Sequence, residues 1–224
     1  MSLDIEKDVL TENLFDISNE LIRPLFDGAD YPWQVLPKIG EFVKHLTENI
    51  PSGFSEIIPG VLVGVDVKIA KEAHIEGPAI FCDGCEIRPS AFIRGNVFAG
   101  KGCVIGNSSE LKNTVLLDGV QVPHYNYVGD SVLGNKAHMG AGSICSNLKA
   151  DKKNVVIKTA RKLDTGMRKV GAFIGDGADI GCGSVLNPGT VIGKNTNVYP
   201  ITSVRGVIPE NSIVKSLKEI VSKI

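Results

Sequence analysis

The 224-residue chain has no charge surplus: 24 Lys and Arg stand against 25 Asp and Glu, leaving a net charge of −1. A dedicated nucleic-acid binder carries a basic excess, so that balance argues against nucleic acid as a partner. Long apolar runs are missing. None approaches the ~18 residues that a membrane span requires, and no membrane partner is expected. The start, Met1-Ser2-Leu3-Asp4-Ile5-Glu6, is acidic and lacks a signal-peptide core. Aromatics are scarce at 6%, which with 25 glycines favours a slim fold with many turns. Five cysteines are an odd number for a disulfide framework. Free thiols in a reducing cytoplasm account for them better, and a cytoplasmic location is expected.

Apolar content is ample, at 43%, and the length fits one domain with a smaller appendage. The main body announces itself by a period of six. Apolar residues fall at Ile57, Val63, Ile69, Ile75, Phe81, Ile87, Ile93, Ala99, Ile105, Leu111 and Leu117, and again at Ile174, Ile180, Leu186, Ile192, Val198 and Val204. Four positions after most of them stands a small residue or valine, such as Ala73, Cys85, Val97, Ser109, Ser184 or Thr196. Helices repeat at 3.6 and half-buried strands at 2, so neither explains six. Three short strands per coil, with a corner every six residues, do explain it: one side chain per strand points inward and coils stack through main-chain hydrogen bonds. The fold class is therefore mainly β, a parallel β-helix over 54–208.

Two motifs dissolve in that frame. Cys85 of Cys82-Asp83-Gly84-Cys85 fills a small-residue slot, and no second CxxC exists to complete a zinc site. Gly100-Lys101-Gly102 and Gly175-Asp176-Gly177 are corner glycines without a surrounding strand–helix unit. No metal is expected.

Outside the repeats, residues 1–53 read as a helical appendage. Leu10, Leu14, Ile17, Leu21 and Ile22 recur at helical spacing with Thr11 as a possible N-cap, and Pro24 and Gly28 end or bend that helix. A second helix is predicted from about Trp33 to Ile50, packed on the main body or on a neighbouring subunit. The period vanishes between Lys149 and Gly171, where Val155-Val156-Ile157 and Asp164-Thr165-Gly166 suggest a protruding hairpin or loop over 149–171. It is rich in Lys and Arg, either as a solvated surface or as a flap that attracts a phosphorylated ligand. After Pro209, Ile213, Leu217, Ile220, Val221 and Ile224 predict a C-terminal helix over 209–224 that caps the solenoid.

The regularity breaks for one polar cluster, Pro123-His124-Tyr125-Asn126-Tyr127-Val128-Gly129-Asp130. Local rules tend to fail where function requires it. With eighteen residues per coil, Arg94 stacks over Lys112, and both flank inward residues, so both point out. Two stacked cations repel unless an anion bridges them, and a phosphate suits that place; two unrelated surface charges are the plainer alternative. Glu110 also faces out beside inward Leu111. Pro123 falls in the next inward slot, which turns His124 outward, where it is either ordinary surface or a base held in one tautomer.

From Arg94 to Lys153 the chain resembles the acetyltransferase domain of the bifunctional N-acetylglucosamine-1-phosphate uridyltransferase/glucosamine-1-phosphate acetyltransferase family. The residues that carry this are Arg94, Glu110-Leu111-Lys112, the Pro123–Asp130 run, Gly140-Ala141-Gly142, Asn147 and Lys153. Asp164 to Gly171 and Tyr31-Pro32-Trp33 look more like the archaeal-type sugar-phosphate nucleotidyltransferase/amino-sugar acetyltransferases. The nucleotidyltransferase head has no counterpart: no Gly-x-Gly-Thr-Arg loop occurs, and the first fifty residues cannot hold an α/β nucleotide domain. Pyrophosphorylase activity is not expected.

The resemblance implies a left-handed coil and an acetyl-CoA-dependent N-acetyltransferase acting on an amino-sugar phosphate. In that reading His124 is the general base and Glu110 orients it. Arg94 and Lys112 bind the sugar phosphate with Tyr127 and Lys153, and Asn147 positions sugar or acetyl group. A backbone N–H near Gly140-Ala141-Gly142 receives the oxyanion. Acetyl-CoA lies along the later coils near His138, Ala141, Cys182, Pro200 and Arg205. A homotrimer with sites between subunits is implied. Departures from the family pattern are His138 for Asn, Cys182 for Ser and Leu148 for Tyr. One alternative is a non-catalytic sugar-phosphate-binding or scaffolding trimer. Another is a metal-dependent hydratase, against which His74, His124 and His138 lack a His-x4-His pair.

Overall fold

Each six-residue unit folds as a short strand and a corner, and strands of successive coils pair in parallel. The computed structural model describes residues 7–216 and 219–223 and is a parallel β-solenoid. Val61 pairs with Ala79, Ile69 with Ile87 and Val185 with Ser203, a spacing of eighteen in each case. Inside the coil Ile93, Ile105, Leu111, Ile180, Leu186, Ile192 and Val204 are wholly buried. The small slots sit at corners, and their hydroxyls satisfy carbonyls that the turn leaves unpaired. Ser109 Oγ donates to the Val122 carbonyl at 2.8 Å and Thr196 Oγ1 to that of Pro209 at 2.8 Å.

Two of the expected inward positions fail, Ile57 and Leu117. Ile57 is 47% exposed, because Ser55–Ile58 turns back antiparallel on Val61–Val63 and ends the stack. Leu117 is not an interior residue; Leu116 is, followed by Val122 and Val128. One residue is lost at the corner near Asn113, whose φ is +48°, and Glu110–Leu116 runs through as a single strand. Coils there hold seventeen residues, with Glu110 paired to Tyr127 and Tyr127 to Ile144. His124 is nevertheless exposed, with Val122 rather than Pro123 as the inward residue.

One outer face of the coil is as apolar as its interior. Leu62, Ile80, Phe98, Val115, Val132, Phe173 and Val191 form a column buried under the N-terminal layer and the 149–171 insertion. Ile39 and Val43 of the helix Ile39–Glu48 cover it together with Trp33 of the 3-10 turn Pro32–Val35, which makes the helix begin later than the sequence suggests. The first predicted helix shrinks to Thr11–Leu14 and Arg23–Phe26. Thr11 caps nothing; the N-cap position is Leu10 and the buried Thr11 Oγ1 has no partner. The segment between runs along a corner of the coil instead. Asp16 N–H donates to Asp176 at 2.7 Å, Asn135 Nδ2 to the Asp16 carbonyl at 2.7 Å, and Asn19 Nδ2 to Asp118 at 3.0 Å. Those polar partners outweigh the helical spacing of Leu14, Ile17 and Leu21.

The insertion explains why Ile144 pairs with Val185, forty-one residues on. It is a hairpin, Val156–Lys158 against Lys162–Asp164, that lies on the coil rather than standing free: Val155 and Ile157 are buried. The C-terminal helix is replaced by an antiparallel pair, Ser212–Ser216 with Glu219–Ser222. Ile213 and Val214 pair with Asn197 and Val198 of the last coil. The open edge there offers unpaired main-chain groups, which a strand satisfies and a helix cannot. Leu217 and Ile224 lie outside the described residues.

Candidate active site

The seventeen-residue coils change what stacks on what. Glu110 lies beside Tyr127, and Lys112 beside Gly129. Arg94 and Lys112 are neighbours in the stack, as expected, but each has its own counterion. Arg94 Nη1 donates to Glu110 Oε1 at 2.6 Å, and Lys112 Nζ lies 3.4 Å from Asp130 Oδ1. The expected shared anion is thus answered within the chain by two carboxylates.

Asp130, unassigned by sequence reasoning, is the hub. It is 5% exposed and sits at φ +49°. Its Oδ1 also accepts from Asn113 Nδ2 at 3.0 Å, and its Oδ2 from Asn147 Nδ2 at 2.6 Å. Asn147 Nδ2 reaches Tyr127 Oη at 3.1 Å. This crowding requires Gly129: a Cβ there would stand 2.5 Å from Tyr127 Oη and 2.8 Å from Asn147 Nδ2. Burial, then the Asp130 and Glu110 carboxylates, raise the Tyr127 phenol above its ordinary value. The network joins Tyr127 and Asn147, while Lys153 is exposed on the insertion, its N–H bound to Asp151.

His124 ends the strand Gln121–His124, and no described residue hydrogen-bonds its imidazole. Glu110 therefore contacts Arg94 and not the histidine. A second residue that the sequence left unassigned, Asn126, ties His124 to its surroundings. Its side chain is 2% exposed; Oδ1 accepts the His124 N–H at 3.0 Å and Nδ2 donates to the Gly140 carbonyl at 2.8 Å. Both residues lie in the cluster that breaks the repeat, which was the signal available for them.

The corner bearing His124 continues as a ladder. Gly142 N–H donates to the His124 carbonyl at 2.9 Å, Gly183 N–H to that of Ala141 at 2.8 Å, and Ile201 N–H to that of Cys182 at 2.8 Å. Three such steps cover about 14 Å along the axis. Ala141, Cys182 and Pro200 thus share one exposed track with His124. Gly140 and Gly142 spend their amides on main-chain bonds, whereas no described residue accepts from that of Ala141. Beside the track is a cleft of about 430 Å³ lined by His138, Asp179, Cys182, Tyr199 and Pro200, with His138 Nδ1 2.8 Å from Asp179 Oδ1. Arg205 does not belong to it. It lies across the next face, hydrogen-bonded to Asn187 Oδ1 at 3.3 Å. The thiols of Cys82, Cys85, Cys103 and Cys145 are buried, and burial pushes that of Cys145 up to about 12, so they serve as core. Among the described residues no group of three or more His, Cys, Asp and Glu is placed to hold a metal ion, and no helix is long and apolar enough to cross a membrane.

The chain has relatives of similar sequence. The family model of the GMPPB C-terminal domain matches residues 75–167. The bifunctional protein GlmU of Methanococcus aeolicus is 30% identical over 98% of this chain and 54% of its own length. Over nearly its whole length the chain is thus similar to part of a GlmU protein, which supports a GlmU-like acetyltransferase domain. A bifunctional sugar-1-phosphate nucleotidylyltransferase/acetyltransferase of Sulfurisphaera tokodaii is 36% identical over 62% of this chain and 35% of its own. This GlmU-like chain spans about half the length of the first relatives it matches. Among solved structures, the acetyltransferase domain of PglB from Neisseria gonorrhoeae with acetyl coenzyme A is similar at a TM-score of 0.41 and 18% identity, covering 72% of this chain and 56% of that one.

Proposed function

We propose that the chain transfers an acetyl group from acetyl-CoA to the amine of an amino-sugar phosphate, with His124 as general base. The observation that carries the reading is the exposed imidazole of His124 one rung from the uncommitted Ala141 amide. A proton acceptor and an oxyanion donor at one corner are what acyl transfer to an amine needs. The exposed track of Ala141, Cys182 and Pro200, with the apolar Ile201 beside it, fits an extended thioester ligand.

Acetyl-CoA supplies the activated acyl carbonyl when bound. His124 takes the proton from the attacking amine. Ala141 N–H points its dipole toward the oxygen that gains charge. Asn126 holds the two at fixed separation through the His124 N–H and the Gly140 carbonyl. Tyr127, Asn147, Arg94 and Lys112 form the sugar-side wall, with Glu110 and Asp130 yielding their cations in part to the substrate's phosphate. Lys153 reaches the same side from the insertion. His138 lines the thioester cleft. Sites between the subunits of a homotrimer fit an exposed track with no wall facing it.

The test is thiol release from acetyl-CoA with a panel of hexosamines and their 1-phosphates. A 1-phosphate is expected to react faster than the free sugar. Absence of turnover with every amine would favour the non-catalytic reading.

A further inference from the structure

Acyl transfer from a thioester to an amine moves two protons, one off the attacking nitrogen and one onto the departing sulfur. His124 is placed for the first. A second imidazole, more firmly held, lies on the other side of Ala141. His138 stands on the same coil as Ala141, three positions earlier, between Gln121 of the coil before and Asp179 of the coil after. Its Nδ1 is 2.8 Å from Asp179 Oδ1. A carboxylate only accepts, so Nδ1 carries hydrogen and Nε2 is the free end of the ring.

The lane from that ring to the Ala141 amide is bare. Strand alternation turns His138 and Gly140 to the outer face, with Met139 wholly buried between them. No side chain fits at Gly140, where a Cβ would stand 2.7 Å from Cys182 N and 2.9 Å from the Ile180 carbonyl oxygen. The stretch from His138 to Gly140 covers about 7 Å of strand. His124 lies one rung before Ala141 and Cys182 one rung after. The two imidazoles therefore flank the amide, one across the rung and one along the coil. The other titratable groups of this cleft are Cys182 and Tyr199. Lys136 lies at the preceding corner, with Asp118 and Asp176. Lys149, Lys158 and Arg205 line a separate cleft across the next face. Among the described residues Asp179 pairs with no charged group besides His138.

We propose that His138 is a general acid that protonates the sulfur of the departing coenzyme, and that Asp179 positions it. The inference rests on the acetyl-transfer reading. The amine attacks the thioester carbonyl and His124 takes its proton. The C–S bond then breaks, its electron pair goes to sulfur, and the Nε2 proton of the His138 imidazolium follows. The products are an amide and a free thiol. One proton is gained at His124 and one lost at His138, and exchange with solvent restores both. An imidazole can carry out this transfer near neutral pH, and a carboxylate behind it holds the ring in one orientation.

The experiment compares His138→Gln, Asp179→Asn and the unaltered chain, with acetyl-CoA and the best-reacting hexosamine 1-phosphate. His138→Gln is a substitution at a partly exposed position that keeps a hydrogen-bonding side chain but has no proton to give. Its kcat is expected to fall about 10²-fold, while affinity for the coenzyme, measured by calorimetry, holds. The kcat of the unaltered chain should decline on the alkaline side, where the acid loses its proton, and His138→Gln should lack that decline. Nitrogen NMR of the neutral His138 ring should place hydrogen on Nδ1 in the unaltered chain, a preference that Asp179→Asn removes. An unchanged kcat in His138→Gln, a loss matched by lost coenzyme affinity, an alkaline decline that survives the substitution, or a ring without hydrogen on Nδ1 would overturn the inference. Those results leave acetyl transfer itself standing. No turnover by the unaltered chain with any amine would overturn that reading, and this step with it.

Discussion

Two stretches of the same solenoid obey different rules. From Ile174 to Val204 the coils keep eighteen residues, and their corners are filled by Ala178 and by Ser184, Thr190 and Thr196, the last three with hydroxyls tied back to nearby carbonyls. From Glu110 to Cys145 they lose a residue, and two corners become continuous strands, Glu110–Leu116 and Tyr127–Leu133. The shortened coils bring Asp130 and Asn126 under the surface and make side chains, rather than corner main chain, the cross-braces between coils. A repeat is thus converted into a site by deletion of a residue, not by addition of a loop.

That contrast can be broken by substitution. Asn126→Ala takes the buried partner from the His124 N–H and one of several donors from the Gly140 carbonyl, and is expected to cost about 2 kcal/mol in chemical denaturation. A loss under about 1 kcal/mol would mean the cross-brace is ornamental. On the regular side, Thr190→Val removes the bonds to the Asn187 and Val204 carbonyls but keeps the shape, so about 1 kcal/mol is expected by the same measurement. An equal cost for the two would erase the distinction. The smallest effect concerns pH. Tyr127 has its phenol raised by burial and by Asp130 and Glu110, so the folded chain keeps that proton at a pH where the unfolded chain has lost it. Stability should therefore fall as pH rises above about 10. Tyr127→Phe should flatten that part of the profile; an unchanged slope would contradict the assignment.

Much of this was legible in the residues. The period of six marks the coil, its failure at 149–171 marks the insertion, and the polar run from His124 to Asp130 marks the candidate site. The frame shift was hidden because Leu116 and Leu117 are both apolar, and only register shows which one faces in. The C-terminal error has the same root: Ile213, Ile220 and Val221 suit either a helix stripe or a strand, and the open edge of the last coil decides. At the N-terminus, the helical spacing of Leu14, Ile17 and Leu21 gives no sign that Asp16 and Asn19 bond to distant coils. For the site, stacking of Arg94 over Lys112 followed from spacing, but their separate counterions did not, since Asp130 comes under Lys112 only through the altered corner. Arg205 was grouped with Cys182 and Pro200, although a full strand width separates the two clefts.

The central claim is that the corner holding His124 and Ala141 performs acyl transfer to an amine. The most direct measurement is kcat of His124→Ala against the unaltered chain, with the best hexosamine 1-phosphate at saturating acetyl-CoA. A loss of about 10²–10⁴-fold with the fold intact is predicted, in keeping with removal of a general base. An unchanged kcat would contradict the assignment of His124 and, with it, the account of why this corner departs from the repeat.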